Sequence, residues 1–180
     1  MSTIKVDAIT DTSGNSIPYM KGAVLQMPFT QYTSTTTVSI SANTNTSVDV
    51  LSVNITPKST SSIIRIDSHI FHEWADSSQP YDSVWFFFRD STKLAHSQVG
   101  STLCGITNTV ISYSTDASST PEVAHYSYFD TPSTTSQITY KVGVITNAST
   151  TIHINKSVND TTTSDYERGV SFISATEIGG

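Results

Sequence analysis

The chain has a single cysteine in 180 residues, Cys104, so it can close no disulfide within itself and build no cysteine zinc site. That excludes the small secreted scaffolds that rely on such staples. A lone cysteine in an apolar-leaning stretch reads as a small buried residue. Charge is also scarce: 9 Lys and Arg stand against 15 Asp and Glu, the net charge is −6, and the cations are scattered singly. No basic stripe exists for a phosphate backbone to follow, which argues against nucleic-acid binding. No run approaches the roughly 18 apolar residues of a membrane helix, so no membrane insertion is expected. The opening Met1-Ser-Thr-Ile-Lys-Val-Asp-Ala8 lacks the apolar core of a signal peptide, and synthesis in a cytoplasm is the expectation. Helix-period segments of useful length are missing, as are a Gly-x-Ser-x-Gly elbow and a phosphate-binding glycine loop.

What the chain has instead is Ser and Thr, about a third of all residues, and short hydroxyl side chains keep a β-rich surface soluble without many charges. Leu51, Val53 and Ile55 alternate before a Pro57-Lys58-Ser59 turn, and Ile64, Ile66 and Ile70 alternate after it. This period of two is the signature of antiparallel strands with one buried side. Strands are expected over 24–33, 36–40, 47–55, 62–74, 83–90, 107–114, 122–130, 137–146, 151–155 and 169–176. Such a series, separated by polar turns, predicts an all-β antiparallel β-sandwich, jelly-roll-like, over residues 23–180. Residues 1–22 differ: the turn cluster Asp11-Thr-Ser-Gly-Asn-Ser16 separates two apolar snippets too short to bury themselves, which predicts an extended N-terminal arm.

Within the body, Ile138, Tyr140, Val142 and Val144 share one strand face and Thr139, Lys141 and Gly143 the other, so that strand reads as half exposed. Val84-Trp-Phe-Phe-Phe88 is apolar on both faces and needs two covers, a second layer of its own chain or a neighbouring subunit. Trp85, Phe86, Phe87 and Phe88 are therefore the candidate subunit interface. Trp74, Tyr81 and Tyr113 are candidate stacking faces for a glycan, each equally readable as core. His69 and His72, three apart, point to opposite faces of a strand and do not share a metal; a single strand histidine, His69 or His125, beside a three-fold axis would gather three imidazoles. Asp160, Asp165 and Glu167 share a loop whose spacing does not match an EF-hand, and Asp76, Asp82 and Asp90 flank the aromatic strand without forming a recognisable acid and base pair. No cofactor, metal or catalytic residue is assigned. The sequons at Asn54 and Asn147 are the kind that a Ser- and Thr-rich chain generates by chance.

Three pieces carry a family resemblance: Ser2-Thr-Ile-Lys-Val-Asp-Ala-Ile9 with Thr12-Ser-Gly-Asn15 and Val24-Leu-Gln26; Val53-Asn-Ile-Thr-Pro-Lys-Ser-Thr-Ser-Ser62; and Ala175-Thr-Glu-Ile-Gly-Gly180. Together the sequence resembles tail-fibre-like virion structural proteins of tailed bacteriophages, particularly marine and cyanobacterial ones. The resemblance implies a non-enzymatic homotrimer at the virion surface, made in the bacterial host cytoplasm. Its arm, through Ile4, Val6, Ile9 and Ile17, would bind other virion proteins while the body projects outward toward a host surface glycan or protein. Shaft repeats of longer fibres are absent, so a capsid decoration or cement protein fits as an alternative to a tail appendage, and a glycan-binding lectin-like receptor-binding protein is a third reading.

Overall fold

The computed structural model describes residues 21–75, 82–95, 103–109, 119–161 and 166–180. The arm residues Ile4, Val6, Ile9 and Ile17, the candidate glycan residues Tyr81 and Tyr113, and most of the strand expected over 107–114 lie outside these. The described residues contain strands β1 (Val24–Gln26), β2 (Phe29–Tyr32), β3 (Thr36–Ile40), β4 (Thr46–Ile55), β5 (Ile63–Trp74), β6 (Ser83–Arg89), β7 (Thr92–Lys93), β8 (Glu122–Asp130), β9 (Ile138–Thr146), β10 (Thr150–Ile154) and β11 (Ser171–Ile178). The expected strand over 24–33 is split in two, because Pro28 has no N–H to continue a ladder.

The antiparallel pairs β3 with β10, β4 with β9, β5 with β8 and β6 with β7 nest inside one another. They describe one long ribbon folded back at Asp90-Ser91. The ribbon is then rolled so that β10 also pairs with β5 and β9 with β6. Two sheets result, one ordered β8-β5-β10-β3 and the other β4-β9-β6-β7. Apart from the β6–β7 hairpin, successive strands from β3 to β10 alternate between the sheets, which is the jelly-roll order. β11 continues alongside β5 next to β10, and β1 and β2 pair with its far edge, completing a seven-stranded sheet.

The core lies between the sheets and follows the expected alternation: Leu51, Val53 and Ile55 from β4 meet Ile64, Ile66 and Ile70 from β5, with Ile138, Tyr140, Val142 and Val144 from β9. An irregularity between Val48 and Ser52 adds residues to β4 against a continuous β9. It resets the parity so that Val48 and Leu51, three apart, both point inward.

Asn155 closes the gap where β10 ends and β11 begins along the same edge of β5. It is fully buried with φ of 62°, a left-handed conformation that Asn tolerates better than most residues. Its Nδ2 donates to the carbonyls of Tyr32 (2.7 Å) and Ser34 (2.9 Å), and its Oδ1 accepts from Ser171 Oγ (2.6 Å). Its backbone N–H donates to Phe71 O, and its carbonyl accepts from Gly169 N. Ser171 Oγ in turn accepts from Phe71 N (3.0 Å). Replacing Asn155 with Ala leaves two carbonyls and a hydroxyl unsatisfied and puts Ala in a left-handed conformation, for an expected loss of about 3 kcal/mol or more. Asn155→Asp, which turns a carboxylate oxygen toward two carbonyls, is expected to be as damaging. Chemical denaturation of both variants measures this, and a loss below about 1 kcal/mol would refute the role given to Asn155.

Candidate functional site

The best-organised polar cluster sits at one end of the sandwich, where β1 begins, β4 ends, β5 begins and β11 ends. Odd-numbered residues of β11 face inward, so the register that buries Ile173 and Ala175 also buries Glu177. Its Oε1 accepts from the backbone N–H of Lys58 (2.6 Å) and from Ser62 Oγ (2.6 Å), and its Oε2 accepts from Gln26 Nε2 (2.5 Å). Gln26 Nε2 also donates to Thr56 O (2.7 Å). Burial pushes the Glu177 carboxyl up, but the hydrogen bonds from Ser62, Gln26, Lys58 and Ser59 outweigh it and hold the group below its ordinary value. The carboxylate thus fixes the Pro57-Lys58-Ser59 turn against the first and last strands. Lys21 and Gly22 come in at the same place: Gly22 N donates to Gly179 O (2.7 Å) and Gly179 N to Ala23 O (2.9 Å). Body segments of all three pieces that carry the sequence resemblance therefore meet here, at Gln26, at Thr56 to Ser62 and at Glu177.

The aromatic strand β6 requires a correction. Trp85, Phe86 and Phe87 are completely buried within the single chain, so they are not an exposed subunit interface. Trp85 and Phe87 point into the inter-sheet core, where Phe87 packs on Tyr126 with ring centroids 4.6 Å apart. Phe86 points outward and lies over Gly143, where any Cβ would run into the ring, while Lys93 Nζ sits 4.2 Å above its centroid. Beside it, Ile106 N donates to Trp85 O and a Cβ on Gly105 would collide with Val84, so the segment 103–107 is an outer cover. Cys104, in that segment, is buried as expected. Of the four interface candidates only the half-buried Phe88 reaches the surface. β9 is correspondingly half exposed only in its first half; from Val142 to Thr146 every residue is buried.

Trp74 is corrected as well: it is 2% exposed, faces the core and contacts Trp85 and His72, so it offers no face to a glycan. Among the described residues, Phe88 is a surface aromatic that does line a depression, a hollow of about 250 Å³ shared with Ser47, Asp90, Ser91 and Lys141. A second hollow, about 350 Å³, lies at the opposite end of the sandwich between Asp82-Ser-Val84 and the segment 103–108.

The carboxylates hold structure together. Glu73 accepts from the backbone N–H groups of Thr120 and Val158, and Asp130 accepts from Arg89 and from Tyr140 OH (2.7 Å), tying the two sheets. Asp82 accepts from Asn147 and Asp90 from Thr139 N, at opposite ends of β6. Asp160 pairs with Arg168 and Lys156, and Asp76 and Asp165 lie outside the described residues. Among the described residues no group of three or more His, Cys, Asp or Glu is placed to hold a metal.

His69 and His72 do point to opposite faces. His72 is buried between Trp74 and Trp85, its Nδ1 facing Ile70 O (3.2 Å) and its Nε2 facing Thr109 Oγ1 (3.5 Å), the arrangement of a neutral ring protonated at Nδ1. Glu122 Oε2 stands 3.9 Å from Nε2. His69 lies on the outer face of the seven-stranded sheet with His125, Phe71 and Phe172. Phe29 and Phe129 on the same face are 64% and 60% exposed.

Fold and surfaces together define an all-β protein, an antiparallel jelly-roll sandwich with a polar anchor at one end. No protein-family model matches the chain, and no curated protein matches it.

Burial lowers the pKa of His72 from 6.5 to about 4, opposed in part by its bond to Ile70. The unfolded chain therefore takes up this proton first, so stability present above pH 6.5 is lost as pH falls toward 4, by on the order of 3 kcal/mol. Glu177, with its depressed value, adds a further loss in more acid solution. His72→Phe is expected to remove most of the slope between pH 6.5 and 4 while leaving the more acid limb in place. Denaturant midpoints across that range measure it; an unchanged slope contradicts the assignment.

Proposed function

We propose that the chain is a non-enzymatic structural protein of a tailed-bacteriophage virion surface, a tail-fibre-like or particle-surface module anchored by residues 1–22. The observation that carries the reading is the convergence at Glu177. Three segments far apart in sequence, which together resemble phage virion proteins, form one hydrogen-bonded cluster around this carboxylate. Residues 21 and 22 join the body there, beside Gly179. An anchoring arm emerging at that end leaves the opposite end, with the loops around 41–45, 82, 103–109 and 147–149, facing away from the attachment point. The same geometry serves a tail appendage and a capsid decoration protein.

The mechanism is binding. Ile4 and Val6 alternate with Lys5 and Asp7, and Ile9 follows three positions on, so the arm can add a strand to a neighbour's sheet edge, with main-chain hydrogen bonds giving affinity and apolar side chains filling pockets. Assembly as a homotrimer would multiply such contacts. Its interface would lie on apolar surface other than Trp85, Phe86 and Phe87, which a single chain buries.

Deletion of residues 1–22 tests the reading. The truncated protein is expected to keep its β spectrum and cooperative unfolding and to be lost from purified particles, with light scattering giving the mass of a trimer for both forms. Incorporation of the truncated protein at the level of the full chain contradicts the anchoring role, and a monomer mass for both contradicts the trimer.

A further inference from the structure

His69 on β5 and His125 on β8 are register partners, directly opposite across an antiparallel pair, and both side chains stand on the outer face of the seven-stranded sheet. Their ring centroids are 6.0 Å apart with the planes at 62°. On the other side His69 stacks on Phe172, its partner on β11, at 5.9 Å with the planes within 10°. This contact holds one imidazole in a fixed plane while the other stands free at the solvent side. Among the described residues neither ring has a hydrogen-bond partner, so each neutral imidazole keeps its one unprotonated nitrogen for a ligand. The nearest charge on this face is Asp67, one row away and occupied by Arg65 and by Ser127 Oγ; Arg65 and Glu73 lie two rows away on either side, and Glu73 accepts from the backbone N–H groups of Thr120 and Val158. Burial, with the neighbouring His125 as a smaller cause, lowers the pKa of His69, which keeps its nitrogen lone pair available at neutral pH.

We propose that His69 and His125 form a two-imidazole chelate for a divalent transition-metal ion of the zinc, nickel or copper class. Metal–nitrogen bonds of about 2.0–2.1 Å at a tetrahedral angle bring two imidazole centroids to about 5 Å, so a small rotation of the exposed His125 ring closes the pair onto one ion. Imidazole suits these metals over calcium or magnesium, which prefer oxygen, and affinity should rise from nickel to copper and fall again at zinc. With two protein ligands, the remaining coordination positions face solvent, so the ion is exchangeable. The chelate cross-links β5 to the edge strand β8, and it forms within one chain without a three-fold axis.

The test is calorimetric titration of Cu²⁺, Ni²⁺ and Zn²⁺ into the full chain at pH 7.5 in a non-coordinating buffer, with His69→Gln, His125→Gln and, as a control, His153→Gln. One ion per chain is expected, with affinity at least tenfold weaker in each of the first two variants and unchanged in the third. Because these substitutions alter a surface face, wild-type protein provides a second readout: substoichiometric Cu²⁺ should broaden the ring resonances of His69 and His125 and spare His72. Affinity that survives either His69→Gln or His125→Gln, or broadening centred on another histidine, overturns the proposal.

Discussion

A ribbon of paired strands that doubles back at Asp90-Ser91 sets the terms for every other contact in the body. Once β3 through β6 pair in nested order with β10 through β7, rolling the ribbon places alternate strands in opposite sheets, and each strand presents one face inward. The period-two pattern of β4, β5 and β9 then fills a single core. The turn has its own support: Asp90 adopts φ of 53°, and its carboxylate accepts from Thr139 N across the sheet. The cost of this topology falls on β6, which is apolar on both sides. Gly143 lets the Phe86 ring lie flat on the neighbouring strand, and the segment 103–107 covers the rest.

In a chain with so few charges, buried polar groups have a disproportionate part in specifying one arrangement. Asn155, Glu73, Asp130 and Glu177 each join segments distant in sequence, and each holds two or more hydrogen bonds. A buried acceptor left without partners costs more than a satisfied one contributes, so these groups discriminate against slipped registers as well as stabilising the correct one. Glu177 does this at the end where the chain comes in, and His72 adds a dependence on pH because its neutral form is the one that fits between two indoles.

Strand positions were legible because one-sided burial writes itself as alternation: the expected 36–40 and 122–130 coincide with β3 and β8 to the residue. Double coverage of Val84 to Phe88 was equally legible, but its source was not. A sequence reports that a face must be covered and says nothing of whether the cover comes from residue 105 or from another subunit. Trp74 failed for the related reason that an aromatic's burial depends on which layer its parity selects. The hubs at Asn155 and Glu177 carried no local signal, since an Asn after an apolar strand and a Glu at an inward position look like ordinary surface residues until the partner strands are known. Glu177 did have one clue, an inward parity shared with Ile173 and Ala175.

The proposed role of the jelly-roll body, anchored and binding at a particle surface, requires the protein to be physically part of a virion. Immunogold electron microscopy of gradient-purified phage particles, with an antibody raised against the folded body, tests this most directly. The account predicts gold on the outside of intact particles, at a repeated position on tail or head. Gold absent from the particles, with the protein confined to the soluble fraction of the lysed host, would contradict it.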